Sequence, residues 1–251
     1  MGVELVFECT GAHTRREDLE KHVRAGARTV LLSAPSKDEG VETVVHGVNV
    51  PEGTPAIISC ASCTTNCITP IVEVIGRRIG FEKAVMTTVH AYTSSQSIVD
   101  GPSKRFRRGR AAAANLVPAS TGAAHATTHA LPEYAGRFDG IAIRAPIPVG
   151  SIADITFVTS RKTTVDEVNQ ILTEEADTEH YNGVLGVSRD PLVSSDIVGD
   201  PRASVVDLEL TKVIDGNLVK VMSWYDNEWG FTSQMIQVAV QQLGLQTAAR
   251  V

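Results

Sequence analysis

Two side chains able to do covalent chemistry near neutral pH, Cys63 and His90, stand at the edges of regular-looking segments. Cys63 lies in Ser62-Cys63-Thr64-Thr65-Asn66-Cys67. There the cap-type residues Thr64, Thr65 and Asn66 precede an apolar run at helical spacing: Ile68, Ile71, Val72, Val74, Ile75. The run closes in Gly76-Arg77-Arg78-Ile79-Gly80, with cations in the last turn and a glycine stop. A thiol at a helix start sits among unpaired N–H groups, whose field favours the nucleophilic thiolate. His90 ends the apolar stretch 84–89, and an imidazole there can take a proton and return it. Set against this, a single cysteine is more often a buried filler. His13, His22, His46, His125, His129 and His180 are equally available on composition alone, so sequence position does not pair Cys63 with His90.

A second set of residues suits an anion. Thr93 follows His90 by three positions, Ser120-Thr121-Gly122 opens a helical segment, and Arg144 follows the apolar Ile141-Ala142-Ile143. Each of these, taken singly, reads equally well as a helix cap or a solvated strand end. The cluster Lys104, Arg105, Arg107, Arg108, Arg110 has only Phe106 as a stacking group and lies in a chain of net charge −6. It therefore fits a phosphate-rich loop or a subunit contact at least as well as a nucleic-acid patch. Cys60-Ala61-Ser62-Cys63 is formally C-x-x-C, but no second pair completes a zinc site, and no metal is expected.

The elements that must position these groups fall into two styles. Strands at 3–9, 29–33, 44–48 and 56–59, with an amphipathic helix at 15–25, predict a doubly wound α/β unit. Beyond the Cys63 helix the pattern becomes α+β. Strands are expected at 84–89, 141–144, 153–160, 204–211 and 218–225, and helices at 121–131, 164–177 and 231–243, with a turn at Asp215-Gly216-Asn217. The 251 residues suffice for one large domain or two small ones, and the 43% hydrophobic and 21% charged fractions are those of an ordinary globular chain. No apolar run approaches a bilayer span, and no basic signal region opens the chain. A cytoplasmic protein with reduced thiols, no nucleic-acid partner and no membrane partner is expected.

Read together, the motifs resemble phosphorylating glyceraldehyde-3-phosphate dehydrogenase. The resemblance rests on Ser59-Cys60-Ala61-Ser62-Cys63-Thr64-Thr65-Asn66-Cys67, His90-Ala91-Tyr92-Thr93, Asp100-Gly101-Pro102-Ser103, Pro118-Ala119-Ser120-Thr121-Gly122-Ala123-Ala124, Arg144-Ala145-Pro146 and Ser223-Trp224-Tyr225-Asp226-Asn227-Glu228-Trp229-Gly230. It implies Cys63 as nucleophile and His90 as its base. Thr93 and Arg144 would hold the phosphate of glyceraldehyde 3-phosphate, and Ser62, Thr64, Thr121 and Gly122 would hold the attacking inorganic phosphate. Arg108 matches the loop arginine, with Arg107 as its rival. Thr10, Gly11 and Asn227 would touch the cofactor, NAD rather than NADP because Gly101-Pro102 resembles the NAD-using loop. The fold implied is a partial Rossmann domain at 1–62, an α+β catalytic domain with a mixed sheet at 63–226, and a C-terminal helix at 227–251 returning to the first. A homotetramer is implied by the family, with the basic stretch beside a neighbour's cofactor.

The resemblance also shows departures. Cys60 stands at a commonly Asn position, Phe231 at a usual Tyr, and no G-x-G-x-x-G occurs. In the family a further Rossmann half precedes the strand at Val3. The expectation is therefore a sheet edge left unpaired, poor NAD binding and marginal folding or self-association. The competing readings are a cofactor-free Cys-His acyl hydrolase and a non-catalytic oligomerisation module.

Overall fold

The computed structural model describes residues 2–38 and 40–245. In chain order its elements are β1 (Leu5–Glu8), α1 (Arg16–Arg24), β2 (Thr29–Leu32), β3 (Glu42–Thr43), β4 (Ile57–Ser59), α2 (Cys63–Arg78), β5 (Phe81–Ala91), β6 (Val117–Ser120), α3 (Ala123–Ala130), β7 (Phe138–Ala145), β8 (Ser151–Thr159), α4 (Val165–Ala176), β9 (Leu185–Ser188), β10 (Ser204–Asp207), β11 (Lys212–Ile214), β12 (Leu218–Tyr225) and α5 (Trp229–Gln242).

The first four strands form a parallel sheet in the order β1-β2-β4-β3. β2 reads Thr-Val-Leu-Leu and is buried throughout, because both faces of the sheet are covered. Val30 and Leu32 meet Leu19 of α1 on one face. Leu31 and Ile58 meet Met235, Val238 and Ala239 of α5 on the other. β1 is the edge strand, and Phe7 on it remains 42% exposed.

The remaining strands build a mixed sheet in the order β6-β7-β5-β8-β12-β10-β9, with β11 pairing β12. β5 runs parallel to β7 and antiparallel to β8. β8 alternates strictly: Ser151, Ala153, Ile155, Phe157 and Thr159 are buried while the residues between them are partly exposed. That buried face packs on Ile68, Ile71 and Ile75 of α2 and on Val168 and Leu172 of α4. Val85 and Ile141 stay more than half exposed on the opposite face.

α2 therefore begins beyond the end of β4 and is buried against the other sheet. It closes at Gly80, whose amide donates to Ile75 O (3.0 Å) at a positive φ of 79°, a conformation glycine adopts without strain.

The structure differs from the sequence expectations at several places. Residues 44–48 form no strand. Asn49 Oδ1 accepts from Val45 N (2.8 Å), Asn49 Nδ2 donates to Thr43 O (2.8 Å), and Gly47 takes φ +77°, so the chain turns straight after β3. The strand expected at 204–211 stops at Asp207, whose Oδ1 accepts from Glu209 N (3.2 Å) and starts a 3-10 turn at Leu208–Leu210. The turn at Asp215-Gly216-Asn217 consequently joins β11 to β12. β6 occupies Val117–Ser120, so α3 starts at Ala123 rather than Thr121. β6 and β9 carried no strong sequence signal.

Candidate active site

Cys63 is the first residue of α2. The cap-type residues Thr64, Thr65 and Asn66 lie within the helix's first turn, and Ser62 is the N-cap, its Oγ accepting from Thr65 N (3.1 Å). Asn66 Nδ2 reaches back to Cys60 O and Ser62 O, each at 2.9 Å. Between β4 and this cap, Ala61 is fully buried with φ +60°, a left-handed conformation that costs a non-glycine residue about 1 kcal/mol or more. That strained turn aims the thiol.

His90 ends the buried face of β5, with Nε2 3.3 Å from Cys63 Sγ. Its Nδ1 lies 2.6 Å from Ala91 O and 2.8 Å from Arg144 Nη1. A carbonyl oxygen only accepts, so the shorter 2.6 Å contact is satisfied by an Nδ1–H, and in that tautomer the donor-only Arg144 Nη1 at 2.8 Å faces Nδ1 without bonding to it. Arg144 Nη1 then donates to Ala91 O (3.0 Å). This tautomer leaves the Nε2 lone pair facing the thiol, as a base requires.

Burial disfavours a lone charge on either partner. It pushes the Cys63 thiol up, against hydrogen bonds from the Thr64 amide and hydroxyl and the charge of Arg144. It pushes His90 down to about 4, with Arg144 adding to the effect. The helix-start amide of Thr64 does favour the thiolate, as the sequence suggested, but desolvation outweighs it for the isolated thiol. Moving the proton from Cys63 to His90 keeps the pair's net charge at zero, so the two titrate as a unit.

The anion-binding candidates lie partly around this pair. Thr93 Oγ1 is 2.9 Å from Ser95 Oγ, which accepts from Arg108 Nη1 (2.7 Å). Arg108, not the exposed Arg107, is thus the arginine of this loop linked through Ser95 to Thr93. Burial, then the charge of Arg144, lowers the Arg108 pKa, and burial also lowers that of Arg144. Arg144 Nε is buried without a hydrogen-bond partner. Two partly desolvated guanidiniums and an orphaned donor favour an incoming anion. Thr121 and Gly122 stand at the start of α3, where Thr121 Oγ1 accepts from Ala123 N (3.1 Å) and a side chain at Gly122 would meet nothing within 4 Å. α3 is tied to α2 through Thr127 and Thr69 (3.1 Å).

Thr10 and Gly11 follow the carboxyl end of β1, on the same edge of the parallel sheet as the turn leading to Cys63. Ligands bind at that edge in open parallel sheets. Glu8, buried at 2% exposure, accepts from Thr10 N (2.8 Å), the Thr10 hydroxyl and His22 Nε2 (2.9 Å). Asn227 Oδ1 accepts from Gly150 N (3.1 Å) and Ser151 Oγ (3.0 Å). What Asn227 can offer a ligand is therefore its amide N–H groups, which suits a carboxamide oxygen. Sequence reasoning missed Glu8, Ser95 and Tyr225. Tyr225 lies within the motif at 223–230 but has no role assigned there, Glu8 carries no signal, and only Thr93 and Arg108 on either side of Ser95 hint at it.

A nucleophilic thiol, an oriented base and a cationic pocket on an α/β frame define an enzyme of covalent catalysis. The profile of the "Glyceraldehyde 3-phosphate dehydrogenase, C-terminal domain" matches residues 62–227. The chain is 47% identical over 243 residues to the glyceraldehyde-3-phosphate dehydrogenase of Streptomyces coelicolor, covering 96% of this chain and 72% of that protein. The Zymomonas mobilis enzyme gives the same identity and coverage, and that of Haloarcula vallismortis is 47% identical over 241 residues (95% and 71%). The chain belongs to the glyceraldehyde-3-phosphate dehydrogenase family.

Proposed function

We propose that the chain converts glyceraldehyde 3-phosphate and inorganic phosphate to 1,3-bisphosphoglycerate through a thioester on Cys63. The observation that carries this reading is the Cys63–His90 contact at 3.3 Å beside Arg144, whose buried Nε lacks a partner. His90 Nε2 takes the thiol proton as sulfur attacks the aldehyde carbon and returns it to the aldehyde oxygen, giving a hemithioacetal and a neutral imidazole. A bound nicotinamide supplies the acceptor for the hydride, and the hemithioacetal oxygen gives its proton to His90. A phosphate oxygen then attacks the resulting thioester carbonyl, and sulfur leaves as the thiolate, which recovers the proton from His90. Arg144, Thr93 and Arg108 hold the substrate's phosphate. Ser62, Thr64, Thr121 and Gly122 receive the attacking one.

Asn227, Thr10 and Gly11 would hold the nicotinamide cofactor, NAD in preference to NADP. Residues 1–62 are read as part of a Rossmann domain, 63–226 as the catalytic domain, and 227–251, of which 246–251 lie outside the described residues, as the return carrying α5. The assembly proposed is a homotetramer acting in the cytoplasm. The test is NADH formation from glyceraldehyde 3-phosphate, NAD and phosphate. Activity that requires phosphate and disappears in Cys63→Ser supports the reading; NADH formed equally without phosphate, or by Cys63→Ser, overturns it.

A further inference from the structure

We infer that Tyr225 is a positioning residue whose phenol hydroxyl clamps together the two elements carrying Cys63 and His90, setting the thiol–imidazole contact. Tyr225 ends β12 and is 2% exposed. Its Oη lies 2.8 Å from Thr64 Oγ1 and 2.8 Å from Thr88 Oγ1. Thr64 is the neighbour of Cys63 in the first turn of α2. Thr88 precedes His90 by two residues on β5, so the two project from the same face of that strand. One hydroxyl thus ties the nucleophile's helix to the base's strand, one residue from one reacting group and two from the other.

The anchor is rigid on both sides. Thr88 Oγ1 also donates to Ile152 O (3.2 Å) in β8, and both threonines are buried. The Tyr225 ring meets the His90 ring edge-on, with centroids 5.9 Å apart at 75°. That contact fixes the imidazole plane that the Nδ1–Ala91 O bond orients from the other side. Burial raises the phenol pKa well above its ordinary value, so Tyr225 stays a hydroxyl and takes no proton from Cys63. Its part is alignment: a base must stand within hydrogen-bond reach of the proton it takes, and a shift of about 1 Å can cost on the order of a hundredfold.

The inference depends on the Cys63–His90 pair but not on any cofactor or aldehyde, so it is testable even if the dehydrogenase reading fails. The experiment measures the rate of Cys63 alkylation by iodoacetamide against pH for the parent, Tyr225→Phe, His90→Asn and the double variant, with urea midpoints for each. The phenylalanine keeps the ring and removes only the clamp. The expected result is a roughly tenfold loss of alkylation rate at neutral pH in Tyr225→Phe, with a pH profile moved toward that of His90→Asn. Adding Tyr225→Phe to His90→Asn should then change nothing. Two results would overturn the inference: Tyr225→Phe within twofold of the parent at every pH, or an equal further loss on the His90→Asn background. The second would mark general structural damage. If Tyr225→Phe fails to fold, Thr88→Val, which breaks the same clamp from β5, is put through the same cycle and must give the same two outcomes.

Discussion

At Cys63 and His90, one shared proton decides reactivity. Burial and Arg144 hold off the doubly protonated pair until about pH 4, and burial holds the last proton beyond the ordinary thiol range. Cys63 alkylation is therefore expected to stay flat from about pH 5 to about pH 9, whereas His90→Asn should show the steep rise of a simple thiol. A rate in the parent that climbs tenfold per pH unit across that window would show that the pair does not share a proton. The same burial affects stability. An unfolded histidine binds its proton near pH 6.5 and the folded one only near 4, so the unfolded state holds more protons between them and stability falls as pH drops through that window. The full effect is about 3 kcal/mol, to be read as a steeper acid loss of urea midpoint in the parent than in His90→Asn. At the anion site, Arg108→Ala should raise KM for the phosphorylated substrate about tenfold and Arg107→Ala less than twofold, because Arg108 bonds Ser95, which bonds Thr93, while Arg107 is exposed. Steady-state kinetics on the two variants decide between them. Cys63, His90, Thr93 and Arg144 were legible in sequence as chemistry-bearing types beside regular elements. Tyr225 was legible only as a member of the motif at 223–230; its contact with Thr64, 161 residues away, was not.

At the scale of elements, α2 is where sequence and packing agree best. Its apolar spacing, its cationic last turn and its Gly80 stop were all readable, and its buried face is the one the spacing predicted. What sequence did not show is that Gly76 is fixed by a neighbour rather than by helix preference: a Cβ there would fall within 2 Å of the Tyr134 hydroxyl. Gly76→Ala gains helix propensity yet should lose about 1–3 kcal/mol, because Tyr134, stacked on Phe81 at 4.5 Å, must move. A urea midpoint equal to or above the parent's would refute that. At α4 the cap is Thr164, whose hydroxyl accepts from Glu167 N (3.2 Å), so Thr164→Ala should cost about 1 kcal/mol and Thr163→Ala should leave that cap intact. The strand expected at 44–48 failed for a local reason: apolar β-branched residues there are buried by tertiary packing, while Asn49 holds the backbone in a turn. Burial and strand hydrogen bonding leave the same mark on a short apolar run.

At the scale of the molecule, the site sits on the seam between two sheets. β4 of the parallel sheet delivers Cys63, β5 of the mixed sheet delivers His90, and α2 spans the junction. The change from doubly wound to mixed architecture was visible in the sequence as a change of spacing after residue 63. The strand order of the mixed sheet was not, because β9, β10 and β12 come together from distant segments whose pairing no local pattern encodes. The central claim is that this seam carries acyl groups on Cys63. It is tested most directly in reverse, by incubating the protein with 1,3-bisphosphoglycerate and no nicotinamide, then mapping adducts by mass spectrometry. The account predicts one acyl group on the Cys63 peptide, released phosphate in equal amount, removal by hydroxylamine, and no adduct in Cys63→Ser. An unmodified Cys63 in a sample where iodoacetamide still alkylates it would contradict the account.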